Sequence, residues 1–277
     1  MQSALFFDWY AASIDSTPDI VINTLKLSYP NESLEPCRAN NGFTHADKLV
    51  NPLGDTVLTF WYGGCQQGSK VFVFASGQYA QRFSEVVRFD FPDHELVRAD
   101  VAIDYDDEGV YLSLMKHGIR TSRAVSVKNR FIGEAGSEFA QSSSDGRSLY
   151  IGSRSSVSMI RIYEKGKKDD KTRPNWVRSE FEFKPKGSEA RLYYAKASLS
   201  QIVSATKLGK AFFSALGVAV SAVAVAAGTV RVKSCHDRAF EYLIRQYQNT
   251  IKKQLAIVGG CPYAFVDSLT KHENWNN

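Results

Sequence analysis

The chain has 277 residues, with 34 Lys+Arg against 29 Asp+Glu and a formal charge of +5. Apolar residues make up 44% and charged residues 23%, which argues against disorder as the main state and leaves material for a core without covalent staples. Cys37, Cys65, Cys235 and Cys261 form no CxxC pair, so free thiols are expected rather than a disulfide scaffold or a zinc ribbon. The first residues show neither a basic n-region nor a long apolar run, and no export signal is expected.

In chain order, Leu5 to Ala12 reads as an aromatic-rich extended segment. Asp19 to Tyr29, behind Thr17-Pro18, reads as a helix with proline at its start. Thr56 to Tyr62 and Lys70 to Ala75 are β-branched and aromatic runs split by glycines, a strand-turn-strand signal. Tyr79 to Val87 reads as a short helix, Val97 to Tyr105 as a strand and Val110 to Ser122 as a helix. A weak strand signal at Arg130 to Gly133 is followed by three strands, Ser148 to Gly152, Met159 to Tyr163 and Val177 to Phe183. No period marks a repeat protein.

Beyond Lys186 the pattern turns helical. Glu189 to Thr206 reads as one helix, and Phe240, Leu243, Ile244, Tyr247 and Ile251 share a helical face that Ser234 or Asp237 would cap. A boundary near Pro185-Lys186-Gly187 divides the chain into a mixed α+β domain, 1–185, and a mainly helical basic part, 186–277, packed on or continuous with it. Between Ala205 and Leu255 eight basic residues face only Asp237 and Glu241, so this stretch carries +6 and the remainder about −1. Such clustering suits a polyanionic partner such as nucleic acid, although a solvated helical face accounts for it too. Ala211 to Ala227 is weakly polar or apolar throughout, at the lower length limit for crossing a bilayer. Its Ala, Val, Gly and Ser content favours a buried helix over a membrane anchor.

The alternation of side chains across three strands carries the chemistry. Val97, Ala99, Val101 and Ile103 share one face of their strand, and Arg98, Asp100, Ala102 and Asp104 the other. Arg161, Tyr163 and Lys165 oppose Ile160 and Ile162; Arg178, Glu180 and Glu182 oppose Ser179, Phe181 and Phe183. In one sheet these strands give an oily face for helices and a second face of carboxylates and arginines. Hard divalent cations take oxygen ligands, and Asp100 and Glu180 are the first candidates to hold one. Asp104 lies two pleats further on, roughly 13 Å from Asp100. Cross-strand salt bridging explains the same pattern without a metal. Tyr150 alternates with Leu149 and Ile151, and so points to the charged face just before the Gly152-Ser153 turn and Arg154. A phenol is a poor nucleophile at neutral pH, but a nearby cation stabilises the phenolate and makes attack on phosphorus feasible. No His-x-His or HExxH occurs; His94, just before the Arg98 strand, is within sequence reach of a metal. There is no Walker A or dinucleotide fingerprint.

Arg98-Ala-Asp-Val-Ala-Ile-Asp104 resembles the R-x-D-x-A-x-D strand of the rolling-circle replication initiation proteins of filamentous phages and small plasmids, the Rep_trans type. Arg147-Ser-Leu-Tyr-Ile-Gly-Ser-Arg-Ser-Ser156 resembles the tyrosine motif of that family. Met159 to Gly166 and Trp176 to Glu182 resemble its next two strands, and Phe7 to Ser13 and Val73 to Gln78 fit its phage members. The resemblance spans most of residues 5–255.

It implies an α+β fold, an antiparallel-rich sheet with helices on one face distantly like the relaxase palm, followed by the basic helical part. It implies an origin-specific nicking and joining enzyme in the bacterial cytoplasm. Tyr150 would become joined to a 5′-phosphate and leave a 3′-OH primer. Asp100 and Glu180, with Asp104 near them, would hold Mg²⁺ or Mn²⁺. Arg154, Arg161 and Lys165 would contact phosphates at the catalytic centre, and Arg98, Arg178, Arg231 and Lys233 would bind DNA. Tyr163 is a rival nucleophile. The partners implied are double- and single-stranded origin DNA, a host helicase and polymerase, and a second subunit offering a second tyrosine. A relaxase or transposition-linked nickase of the same chemistry, and a DNA-binding protein without catalysis, are the alternatives.

Overall fold

The computed structural model describes residues 4–64, 68–133, 146–220 and 235–271. Contacts divide the chain into two compact units, Met1–Thr229 and Val230–Asn277. The first unit is built on one antiparallel sheet whose strands are β1 (Phe6–Asp15), β2 (Ser33–Pro36), β3 (His45–Val50), β4 (Thr56–Tyr62), β5 (Lys70–Ser76), β6 (Glu95–Asp106), β7 (Asn129–Ile132), β8 (Ser148–Gly152), β9 (Ser158–Tyr163) and β10 (Trp176–Phe183). Their order is β2-β3-β4-β5-β1-β6-β10-β9-β8-β7. Its helices are α1 (Pro18–Ser28), α2 (Gln78–Asp90), α3 (Val110–Ala124), α4 (Lys165–Asp169), α5 (Ser188–Lys196), α6 (Leu199–Val203) and α7 (Lys207–Ala215).

One face of the sheet is oily because alternate residues are. Tyr10, Val73, Val101, Phe181, Ile160 and Ile151 are all buried there. α2 packs on β1 and β5, α5 on β6, α3 on β8 and β9, and α7 on β9. Aromatic edges lock the layers: Phe83 against Tyr10 at 6.0 Å, Tyr194 against Phe183 at 4.8 Å and Phe213 against Phe181 at 6.0 Å. The α+β class, the antiparallel sheet and the helices on one face are those expected from the sequence.

The strand order reads alike from both ends. In each half the first strand (β1 or β6) is central, a helix follows it, and a four-strand meander returns the last strand (β5 or β10) to its side. The registers match as well. Ala11 faces Phe74 and Ser13 faces Phe72, while Asp100 faces Glu182 and Ala102 faces Glu180. One strand further out, Phe72 faces Trp61 and Glu180 faces Arg161; then Trp61 faces Ala46 and Arg161 faces Tyr150. Half a turn about the Tyr10–Ala99 pair exchanges Ala11–Arg98 with Trp9–Asp100. The halves are thus related by a topological dyad that no sequence period announces.

Two boundaries differ from the sequence reading. The stretch 189–206 is two helices, because Ser198 begins a new one. Its Oγ accepts from the Gln201 N–H at 3.3 Å, and its own N–H donates to Gln201 Oε1 at 2.8 Å. Helices α5 to α7 pack into the sheet, so the contact boundary falls at 229/230 rather than near 185. Within the apolar stretch that begins at Ala211, Phe212 and Phe213 are buried in α7; residues 221–227 lie outside those described. Among the described residues no helix is long and apolar enough to cross a membrane.

The second unit holds α8 (Cys235–Ile257) and α9 (Pro262–Thr270). Phe240, Leu243, Ile244 and Tyr247 form an exposed apolar face on α8.

Candidate functional site

The face opposite the packed helices carries the charged cluster. Arg98 grips Asp100 with two hydrogen bonds, Nε to Oδ1 at 2.8 Å and Nη2 to Oδ2 at 2.6 Å, and reaches Glu182 at 3.0 Å. Arg161 lies between Asp100, 3.1 Å away, and Glu180, with which it forms a short ion pair. Lys184 completes the group on Glu182 at 2.6 Å. Asp100, Glu180 and Glu182 are all buried.

Burial and the Asp100 charge push the Glu180 carboxyl up to about 8. Glu180 Oε2 is buried and, among the described residues, accepts no hydrogen bond. Burial also works against the charge on Arg98 and Arg161, yet their carboxylate partners hold both pKa values above the ordinary one. For Glu182, burial is outweighed by the Lys184 hydrogen bond and the Arg98 charge, and its pKa is lowered.

Among the described residues no three His, Cys, Asp or Glu side chains come together as a metal cage. A pair of carboxylates with a buried, unpartnered oxygen still fits a hard divalent cation. Mg²⁺ is commonly held by one or two carboxylates, with water and substrate phosphate filling its shell.

Tyr150 stands two strands from Glu180 along one row, Glu180–Arg161–Tyr150–Arg130, which is about 10 Å of sheet. It is half-buried and lines a cleft of about 500 Å³ with Lys128, Arg130, Gly152 and Arg154. The Arg130 guanidinium lies 5.4 Å over its ring. The β8–β9 hairpin that presents it is fixed at both ends. At the tip Gly152 has φ +94°, and a Cβ there would press to 3.2 Å from the Ser158 carbonyl oxygen. At the base Arg147 is bidentate on buried Glu164, at 3.0 and 2.9 Å. Burial opposes that carboxylate's charge, yet the Arg147 hydrogen bonds bring it down to about 2.

The remaining sequence candidates fall elsewhere. Asp104 belongs to a second ionic group, where Arg178 holds it at 2.7 Å and Asp8 at 2.5 Å. Lys165 pairs with Asp169 at 2.6 Å and lies 5.1 Å over the Trp176 ring. With Asp8, Asp104 and Arg178 it lines another cavity, of about 470 Å³. Arg154 is exposed at the hairpin tip, where its carbonyl accepts from Lys184 at 2.5 Å. Tyr163 is raised well above the usual phenol, first by burial and then by the Glu180 charge, which disfavours it as a nucleophile. His94 sits on the oily side, 2.8 Å from the Tyr10 hydroxyl and 2.7 Å from the Phe91 carbonyl, away from the acids. Arg231 and Lys233 lie outside the described residues. Lys128 and Arg130 escaped the sequence reading; the signal was the weak strand at 130–133, which places Arg130 opposite Tyr150.

Residues 94–216 match the model of the Rep_trans family, described as replication initiation factor. Among solved structures, the rolling circle replication initiator protein from Geobacillus stearothermophilus is similar over 73% of this chain and 83% of that one, at 20% identity and a TM-score of 0.48. No curated protein matches the chain.

Proposed function

We propose, from the match of residues 94–216 to the replication initiation factor family, that this protein starts rolling-circle replication by nicking one strand of an origin and later rejoining it. The observation that carries the reading is the shared row of Tyr150, Arg161 and Glu180 on the charged face. The Tyr150 phenolic oxygen attacks a backbone phosphorus. The new O–P bond forms as the P–O3′ bond breaks; the phenol gives up its proton, the departing oxygen takes one, and a 3′-OH primer remains. Arg130 and Arg154 flank the ring where phosphate oxygens would lie, and guanidinium forks suit that geometry. Asp100 and Glu180 would hold Mg²⁺ or Mn²⁺, which when bound neutralises charge at the scissile phosphate. Arg98 and Arg161 keep the two acids in place. Asp104, Asp8 and buried Arg178 are better read as a structural ion group than as metal ligand or DNA contact, and Lys165 stands beside it on Asp169.

The basic second unit, which includes Arg231 and Lys233, would add phosphate contacts to the duplex and a steep salt dependence. A second subunit would offer the tyrosine for the closing step, and a host helicase and polymerase would extend the primer. The setting is the cytoplasm of a bacterial host. A second reading follows from the arginines that engage Asp100 from two sides: the acids serve only to neutralise them, and the protein binds DNA without cutting it.

The test is incubation with Mg²⁺ and the supercoiled replicon that encodes the protein. Nicked product and a covalent adduct on the Tyr150 peptide, found by mass spectrometry, are expected. Tyr150→Phe should lose the adduct entirely and retain DNA binding. Nicking that survives in Tyr150→Phe overturns the assignment, and absence of nicking with normal binding favours the second reading.

A further inference from the structure

The dyad sets the ionic half of the open face against its topological mate, and the mate is aromatic. Where one half has Glu180, Glu182, Arg161 and Arg98, the other has Phe72, Phe74, Trp61 and Trp9. These rings touch. Trp9 stacks on Phe74 with centroids 4.9 Å apart and 13° between planes; Trp61 meets Phe74 edge-on at 5.1 Å and Phe72 at 5.5 Å. Phe43, from the loop before β3, extends the layer at 6.2 Å from Phe72. All five are half-buried, and the core on the other face does not need them.

The layer meets the candidate active site at Trp9. Trp9 faces Asp100 across β1 and β6, and the Arg98 guanidinium that grips Asp100 lies 4.8 Å over the Trp9 ring. Small residues, Ala11 and Ser13, separate the rings from the ions. One row of the sheet reads Lys48–Thr59–Phe74–Ala11–Arg98, a ring between two cations, with Lys48 also 3.2 Å from Glu35. Among the described residues the Trp9 and Trp61 indole N–H groups find no acceptor.

We infer that this aromatic face binds single-stranded DNA by base stacking and leads the strand to Tyr150. Unpaired bases offer π-faces to such rings regardless of sequence, whereas a duplex hides them, and flanking cations engage the backbone. The inference rests on the nicking reading for the strand's destination, but not for its binding.

The test uses the full chain in EDTA, so that binding is read without chemistry. A labelled oligothymidylate should bind in fluorescence anisotropy and quench tryptophan emission. Trp61→Leu, which keeps apolar volume, should weaken binding about tenfold or more while changing hairpin-duplex binding little. Because that variant could misfold, a second measurement uses the unaltered protein: an oligonucleotide carrying 5-iododeoxyuridine should photocrosslink to peptides containing Trp9, Trp61 or Phe74. Crosslinks confined to other segments overturn the inference. So does wild-type affinity in folded Trp61→Leu, or a Trp61→Leu effect limited to oligomeric state. A parallel reaction of the wild-type protein with Mg²⁺ and the encoding replicon keeps the two readings apart. Crosslinks on the rings without any Tyr150 adduct leave the platform standing and remove the nickase; an adduct without ring crosslinks does the reverse.

Discussion

Glu180 is held between opposed demands. Its neighbour Asp100 and its burial favour the neutral acid, while Arg161 favours the carboxylate. The uncharged isostere in Glu180→Gln relieves the first demand and keeps the shape, so stability in urea should stay within about 1 kcal/mol of wild type while nicking is lost. Arg161→Met is the converse: it strands the buried Glu180 carboxylate, while Arg98 still holds Asp100, and should cost roughly 3–5 kcal/mol. Equal losses in both variants would show that the acids are not in tension. At this scale much of the site was legible, because strict alternation in three strands assigns Asp100, Glu180 and Arg161 to one face. What alternation leaves out is who pairs with whom. Asp104 looked like a partner of Asp100 and is instead held by Arg178, since cross-strand register, not position along one strand, decides the neighbour.

Among the elements, the strongly patterned ones were readable, short β8 and β9 included, and the weakly patterned ones were not. β2 (Ser-Leu-Glu-Pro) and β3 (His-Ala-Asp-Lys-Leu-Val) lack a clean run of β-branched and aromatic residues. The break at Ser198 was written in the sequence as a Ser-x-x-Gln capping box but was masked by the continuous helical composition around it. The α6–α7 corner has an absolute requirement at Gly209. A Cβ there would collide with the Val203 carbonyl oxygen and come within 2.7 Å of the Phe181 ring. Alanine favours a helix by about 1 kcal/mol over glycine, but backbone cannot yield to it as a flexible side chain would. Gly209→Ala should therefore be net destabilising by about 1–3 kcal/mol, read as a lower urea midpoint. A midpoint equal to or above wild type would mean the corner is looser than it stands.

For the molecule as a whole, the topological dyad was invisible in the sequence because its two halves kept the pairing pattern and exchanged the side chains. Aromatic rings stand in one half where acids and arginines stand in the other, so the sequence carries no residue repeat. The halves meet where Tyr10 faces Ala99, and the Tyr10 hydroxyl bonds buried His94 there. Burial holds the His94 imidazole down to about 4, against 6.5 for the free side chain. Below about pH 6.5 the unfolded chain binds a proton that the folded chain refuses. Stability should fall as pH drops from 6.5 towards 4 and level off beneath, with a total on the order of 3 kcal/mol. His94→Gln should flatten that part of the pH–stability curve in calorimetry; an unchanged slope would locate the acid sensitivity in other groups.

β10 has a consequence beyond its own length. Its odd residues, Ser179, Phe181 and Phe183, face oil, and its even ones, Arg178, Glu180 and Glu182, face the acids and arginines of the opposite side. Sliding that strand by a single position would drive three charges into hydrocarbon and turn two phenyl rings towards water. A mispaired chain is thus too costly to persist as a folded but inert population, and assembling the hydrophobic layer correctly also sets the acids in their places.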